Sequence, residues 1–194
     1  MWQPRYVIRG LWVAFILCWL VLAQFNKRTS RRTPWAGTWG LRLAVVVIVL
    51  AAVLLRRHGL AGQLSAFSHA LRTHPGIPEQ WAGVGVCLVG FGFAVWARIH
   101  LGRNWGMPMS LRQGHELVTT GPYAWVRHPI YSGLMLALIG SALCFSPLWL
   151  LGCVVYFAYF MISARAEERM MLAQFPDTYP AYRRRTKMLI PFVF

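Results

Sequence analysis

Acidic side chains are scarce in this chain: five Asp and Glu stand against twenty Lys and Arg, for a formal net charge of +15 over 194 residues. Cysteines are scarce as well. All four (Cys18, Cys87, Cys144 and Cys153) lie inside apolar stretches, with no Cys-x-x-Cys pair and no histidine at ligand spacing. That leaves no basis for a disulfide framework or a metal site, and the thiols read as small hydrophobes. The basic excess lacks the grouping that nucleic-acid binding needs, because Lys and Arg fall between apolar runs instead of along one stripe or helical face. No nucleic-acid partner is expected. Nor does a small-residue cleavage site follow the first apolar run, which ends in Asn26-Lys27-Arg28. It reads as a retained anchor and not as a signal peptide.

What is present is apolar surface. At 57% hydrophobic the chain is too apolar for an ordinary soluble domain. Basic residues between apolar runs fit segments drawn to anionic headgroups on the cytoplasmic side. The expected fold is all-α, a multi-pass transmembrane helical protein with about five membrane helices. Candidate spans cover residues 7–25, 41–55, 80–101, 130–145 and 148–163, the last two joined at Ser146-Pro147 as a tight, short-legged hairpin. Between the second and third spans, Leu60, Leu64, Phe67 and Leu71 recur at helical spacing, as in an amphipathic helix on the membrane. The third span carries Gly83, Gly85, Gly90 and Gly92, which let helix backbones approach closely. Residues 1–79 form an N-terminal membrane portion and 80–194 a core portion. The Ser146 turn has no Lys or Arg, whereas the connector 102–129 and the C-terminal tail are basic. This places connector and tail in the cytoplasm and the N-terminus outside, although Arg56, Arg57 and Arg72 then run against the rule.

The terminal hairpin concentrates the chemistry. Tyr123, Trp125, Arg127, His128 and Tyr131 crowd its start, and Arg165-Ala166-Glu167-Glu168 follows its second leg. Polar groups at the lip of a membrane segment are costly and usually functional. The hairpin returns the chain to the face it left, so His128 and Glu167 are expected within side-chain reach. Carboxylates there suit a cation or hydroxyl donors. Arg127 and Arg165 suit an anionic group, and Tyr123, Trp125 and Tyr131 suit a flat ring or a positive centre. The residues by themselves do not single out one ligand. His58, His69 and His74 have no partner pattern and read as surface residues, while Tyr179 and Tyr182 read as packing or headgroup residues.

The series Leu101-Gly102-Arg103-Asn104-Trp105, Gly114-His115-Glu116-Leu117-Val118-Thr119-Thr120-Gly121-Pro122-Tyr123 and Val126-Arg127-His128-Pro129-Ile130-Tyr131-Ser132-Gly133 resembles the isoprenylcysteine carboxyl methyltransferase family. So does Arg165-Ala166-Glu167-Glu168, with Phe175, Tyr179, Tyr182, Arg185 and Ile190-Pro191 behind it. The resemblance spans roughly residues 96–192. It implies an integral membrane methyltransferase, related to the phospholipid methyltransferases, that uses S-adenosylmethionine on a lipophilic or lipid-modified acceptor. It implies a bacterial inner-membrane enzyme whose active site is cytoplasmic. By resemblance, His115, Leu117, Val118, Tyr123, His128, Pro129, Tyr131, Glu167 and Glu168 hold the cofactor, and Arg165 takes part on the substrate side. Pro176 stands where the family has Gly, and Gly106 to Ser110 depart from its usual pattern on the acceptor side. Two other readings stand beside it. One is a nicotinamide-dependent sterol-type reductase, although Ile130 replaces the Asn usual before the Tyr of that hairpin. The other is a non-catalytic membrane scaffold or transport component, which has no need for His, Glu and aromatic groups on one face.

Overall fold

The computed structural model describes residues 3–24, 29–32, 75–102, 105, 110–112, 116–146 and 149–190. The second span at 41–55, the amphipathic stretch around Leu60 to Leu71, and His115 lie outside them. The elements are α1 (Pro4–Ala23), β1 (Thr29–Arg32), α2 (Ile77–Leu101), β2 (Ser110–Arg112), a 3-10 turn (Gly121–Ala124), α3 (Pro129–Phe145), α4 (Trp149–Gln174) and α5 (Tyr179–Arg185). Proline opens each of the first three helices, where a missing N–H costs nothing and φ is already helical.

Helices α1, α2 and α4 are long and apolar enough to cross a membrane. Helix α3 has 17 residues, about 25 Å at ~1.5 Å per residue, and is the short leg of the expected hairpin. The other leg is longer than expected. Helix α4 runs unbroken for 26 residues through the Glu pair, because nothing between Ser163 and Gln174 is a Gly or Pro and the stretch is rich in strong helix formers. The small antiparallel pair β1–β2, with Thr29 opposite Arg112, is an addition to the all-helical expectation.

Helices α1 and α2 run in the same direction. Ile8 packs with Val84 and Cys87 near their starts, Trp12 meets the Phe91 ring edge-on at 4.8 Å, and Trp19 meets Trp105 at 5.6 Å near their ends. At those ends Arg98, 2% exposed, donates to Leu22 O (2.6 Å) and Gly102 O (2.8 Å) and lies 4.6 Å from the Trp105 ring centre. Ala23 and Ile77 therefore sit at opposite ends of the bundle. Across α1 and α3 the Trp12 indole donates to Ser141 Oγ (3.0 Å), which in turn donates to Ala137 O (2.9 Å).

Helix α3 returns antiparallel to α2, with backbone against backbone. A Cβ on Gly90 would lie 2.5 Å from Ala137 N, and one on Gly140 would lie 2.5 Å from Cys87 N. Only two of the four glycines of α2 are used this way: Gly83 and Gly90 face α3, while Gly85 and Gly92 have nothing within 4 Å of a Cβ. Gly90→Ala is accordingly expected to destabilise the bundle by about 1–3 kcal/mol by overpacking. Gly92→Ala should be neutral or stabilising by up to about 1 kcal/mol through helix propensity. Thermal unfolding in detergent checks both. A Gly90→Ala protein that melts with the parent would show that the two backbones do not meet at this point.

Candidate functional site

The end of the bundle at which α1 and α2 finish is also where α3 starts and the polar part of α4 emerges. Three elements build a site there. The first is the turn into α3. His128 caps that helix, with the buried Pro129 behind it. The second is α4, which carries Glu167 and Glu168. The third is a strap after α5, which the sequence did not disclose. Arg127 N donates to Lys187 O (2.8 Å), His128 N donates to Met188 O (3.1 Å), and Ser132 Oγ donates to Leu189 O. Leu189 is buried in the same cluster as Tyr123, Ile130, Tyr131 and Phe160. The strap thus closes behind the His-Pro turn as a short parallel bridge, Val126 opposite Lys187.

His128 lies between the two carboxylates. Its Nδ1 is 3.5 Å from Glu167 Oε2, and its Nε2 is 3.6 Å from Glu168 Oε1. Burial alone would push the imidazole down, but Glu167 and then Glu168 outweigh it and hold the pKa above its ordinary value. The attraction of the imidazolium for this pair is therefore complete below the ordinary histidine pKa and lost as pH rises through the raised one. Nε2 is buried with no hydrogen-bond partner.

The carboxylates are not equivalent. Glu167 takes a hydrogen bond from Tyr131 Oη at 2.5 Å, and 24% of its side chain is exposed. Glu168 is 4% exposed; Arg127 Nε donates to its Oε1 at 2.6 Å, and Arg183 Nε lies 3.4 Å from its Oε2. Arg127 also donates to Arg183 O (3.2 Å) and to Thr186 O. This arginine, one of two expected to take an anionic group, is committed to the protein. Arg165, the other, is exposed on α4 one turn before Arg169.

Of the aromatic candidates, Tyr131 is sandwiched between His128 (centroids 5.5 Å apart, planes 8° apart) and Phe160 (4.8 Å, 9°). Phe160 was not anticipated, and only its spacing of seven residues before Glu167 on one helix hints at it. Tyr123 is buried, and its carbonyl accepts from Tyr182 Oη at 2.7 Å. Burial pushes the Tyr182 phenol up to about 12, which keeps it a donor at neutral pH. Tyr179 and Tyr182 are thus packing residues, one of the two readings the sequence left open. Val118 packs against the same cluster, with Leu117 half-buried beside it. The turn at Gly121 needs its glycine: φ is +59°, and a Cβ would lie 2.7 Å from the His100 ring, whose Nε2 is 2.8 Å from Thr120 Oγ1. Trp125 is 56% exposed and stands with Phe93 and Trp96 as an aromatic group of the kind that anchors at a membrane surface. Among the described residues no cluster of His, Cys, Asp and Glu is arranged to hold a metal.

Residues 81–173 match the model of the isoprenylcysteine carboxyl methyltransferase family. Protein-S-isoprenylcysteine O-methyltransferase B of Arabidopsis thaliana is 27% identical over 157 residues, covering 75% of this chain and 80% of the plant protein. Methanethiol S-methyltransferase 2 of Bradyrhizobium diazoefficiens is 38% identical over 81 residues, 42% of this chain and 31% of that protein. Among solved structures, the eukaryotic intramembrane Ras methyltransferase superposes with a TM-score of 0.54 at 28% identity, over 75% of this chain and 52% of the other. Together with the apolar helices, these likenesses define an integral membrane methyltransferase. Over its core portion the chain is similar to the isoprenylcysteine carboxyl methyltransferase family. It spans about half the length of the Ras methyltransferase and a third of the bacterial thiol methyltransferase.

Proposed function

We propose that the protein transfers a methyl group from S-adenosylmethionine to a lipophilic acceptor at the cytoplasmic face of a bacterial inner membrane. The observation that carries this reading is the convergence of His128, Tyr131 and Glu167 at the mouth of the α3–α4 hairpin. The donor set fits that cofactor. A partly exposed carboxylate suits ribose hydroxyls or an ammonium group, and the buried Nε2 of His128, which makes no hydrogen bond within the protein, can meet a further polar atom. In this reading Leu117 and Val118, joined by His115 on the strength of the resemblance alone, line one side; Tyr123, His128, Pro129 and Tyr131 form a second and Glu167 a third, with the enclosed Glu168 supporting it from behind.

The bound cofactor supplies a methyl group activated on a sulfonium. The protein's part is to align the acceptor with that group and to keep water out. The two carboxylates flank His128 and favour its charged form, so no dedicated base is at hand. That favours an acceptor already nucleophilic as it arrives, a carboxylate or a thiolate, over a protonated amine. The activities for which the relatives are named, on an isoprenylcysteine and on methanethiol, are of those two kinds. Arg165, exposed on α4 beyond the membrane-length run, would meet the anionic acceptor.

Calorimetry on detergent-solubilised protein with S-adenosylmethionine and with its demethylated product is expected to show micromolar binding. A labelled-cofactor assay against lipid extract is expected to show methyl transfer, weakened by Arg165→Lys with cofactor binding unchanged. No heat and no thermal shift with either compound would overturn the reading.

A further inference from the structure

We propose that Arg127 is the positioning residue of this site: it holds Glu168 away from His128 and ties the strap to the His-Pro turn, without touching the cofactor. The proposal rests on the cofactor reading above. Its grounds are geometric. The Arg127 and Glu168 side chains are 9% and 4% exposed, so the pair is almost wholly withdrawn from solvent. Arg127 Nε takes Glu168 Oε1, while Nη1 reaches the carbonyls of Arg183 and Thr186 and the backbone N–H bonds Lys187 O. One guanidinium therefore joins the start of α3, the polar part of α4, the end of α5 and the strap. A planar fork with several fixed donors can make these contacts at once, whereas a lysine ammonium is a single point.

The consequence falls on the next residue. Glu168 Oε1 lies 3.6 Å from His128 Nε2, just beyond a hydrogen bond, because the same oxygen is drawn to Arg127 at 2.6 Å. His128 Nε2 is thereby kept buried and without a hydrogen bond, with Glu168 only at ion-pair distance. Without Arg127, an uncompensated buried carboxylate would face an imidazole less than 1 Å too far to bond, and it would close that gap. His128 would then be occupied on both ring nitrogens by the protein, Glu167 on one side and Glu168 on the other, with none left for a ligand. Arg183 does not replace Arg127 here, since its side chain is half exposed and it approaches the other oxygen, Oε2.

The test is a set of affinities for S-adenosylhomocysteine, measured by calorimetry on folded protein in detergent. Arg127→Gln is expected to weaken binding by about tenfold or more, the size of one charge-assisted hydrogen bond made at the ligand's expense. Adding Glu168→Gln to it removes the loose carboxylate, and is expected to recover most of that loss. A purely structural Arg127 would behave otherwise: the double variant would be no better than the single one, or the folded single variant would bind like the parent. Either result overturns the proposal. If Arg127→Gln does not fold, Arg127→Lys carries the test, because it keeps a cation beside Glu168. Its affinity is expected to fall no more than a few fold, and a tenfold loss in the folded Lys variant overturns the proposal. A parent protein that binds no cofactor would instead sink the functional reading beneath it.

Discussion

Replacing Arg98 with alanine is expected to cost the bundle about 3–5 kcal/mol. Arg98 is charged, 2% exposed, and placed where two parallel helices end together. The last carbonyls of a helix have no partner within it, and the helix dipole makes that end negative. Arg98 answers both helices with one side chain, donating to Leu22 O of α1 and to Gly102 O just past α2, with its charge over the Trp105 ring. Each hydrogen bond from a charged donor contributes about 1.5–3 kcal/mol, and alanine removes two, together with the ring contact. Arg98→Lys keeps the charge but cannot fork to both carbonyls, so it should fall between parent and alanine. Thermal unfolding in one detergent is the measurement, with a drop of roughly 10 °C expected for the alanine variant. An alanine variant melting within a degree or two of the parent would mean that α1 is not held to α2 through this residue.

Glu167→Gln is expected to lower cofactor affinity tenfold or more while leaving the melting temperature close to that of the parent. Glu167 is the carboxylate with a quarter of its side chain exposed, so it can meet a ligand where the enclosed Glu168 cannot. Gln keeps the size and can still accept from Tyr131, but it loses the charge that faces His128 Nδ1 at 3.5 Å. Losing a charge-assisted bond to the ligand costs about 1.5–3 kcal/mol, which sets the tenfold scale. Calorimetry decides. A Gln variant that binds as tightly as the parent would show that the α4 wall of the site has been assigned to the wrong residue.

Much of this end of the molecule was legible in the sequence. A hairpin must bring its two flanks to one face, so the meeting of His128 with Glu167 followed from the apolar runs alone. The separate tasks of Glu167 and Glu168 did not. They depend on which way each points from a helix that continues past the membrane-length run, and neighbours on a helix point about 100° apart. The glycines of α2 were legible as close-packing residues, but not that Gly83 and Gly90 pack while Gly85 and Gly92 stay open. That choice is made by α3, whose Gly133 and Gly140 repeat the same seven-residue spacing. Arg98 carried a signal that sequence reasoning passed over, since a lone cation inside a membrane-length run needs partners. The strap carried none. Its contacts are main-chain hydrogen bonds, available to almost any residue type, so nothing in the composition of 186–190 marks them.

That strap makes a late part of the chain indispensable to the front of the hairpin. Lys187 and Met188 supply the carbonyls that the amides of Arg127 and His128 bond, across about sixty residues of sequence. A chain cut before Lys187 would contain every described helix and still leave those two amides at the membrane lip with no carbonyl to bond. A full set of helices is thus not yet a full site in this fold.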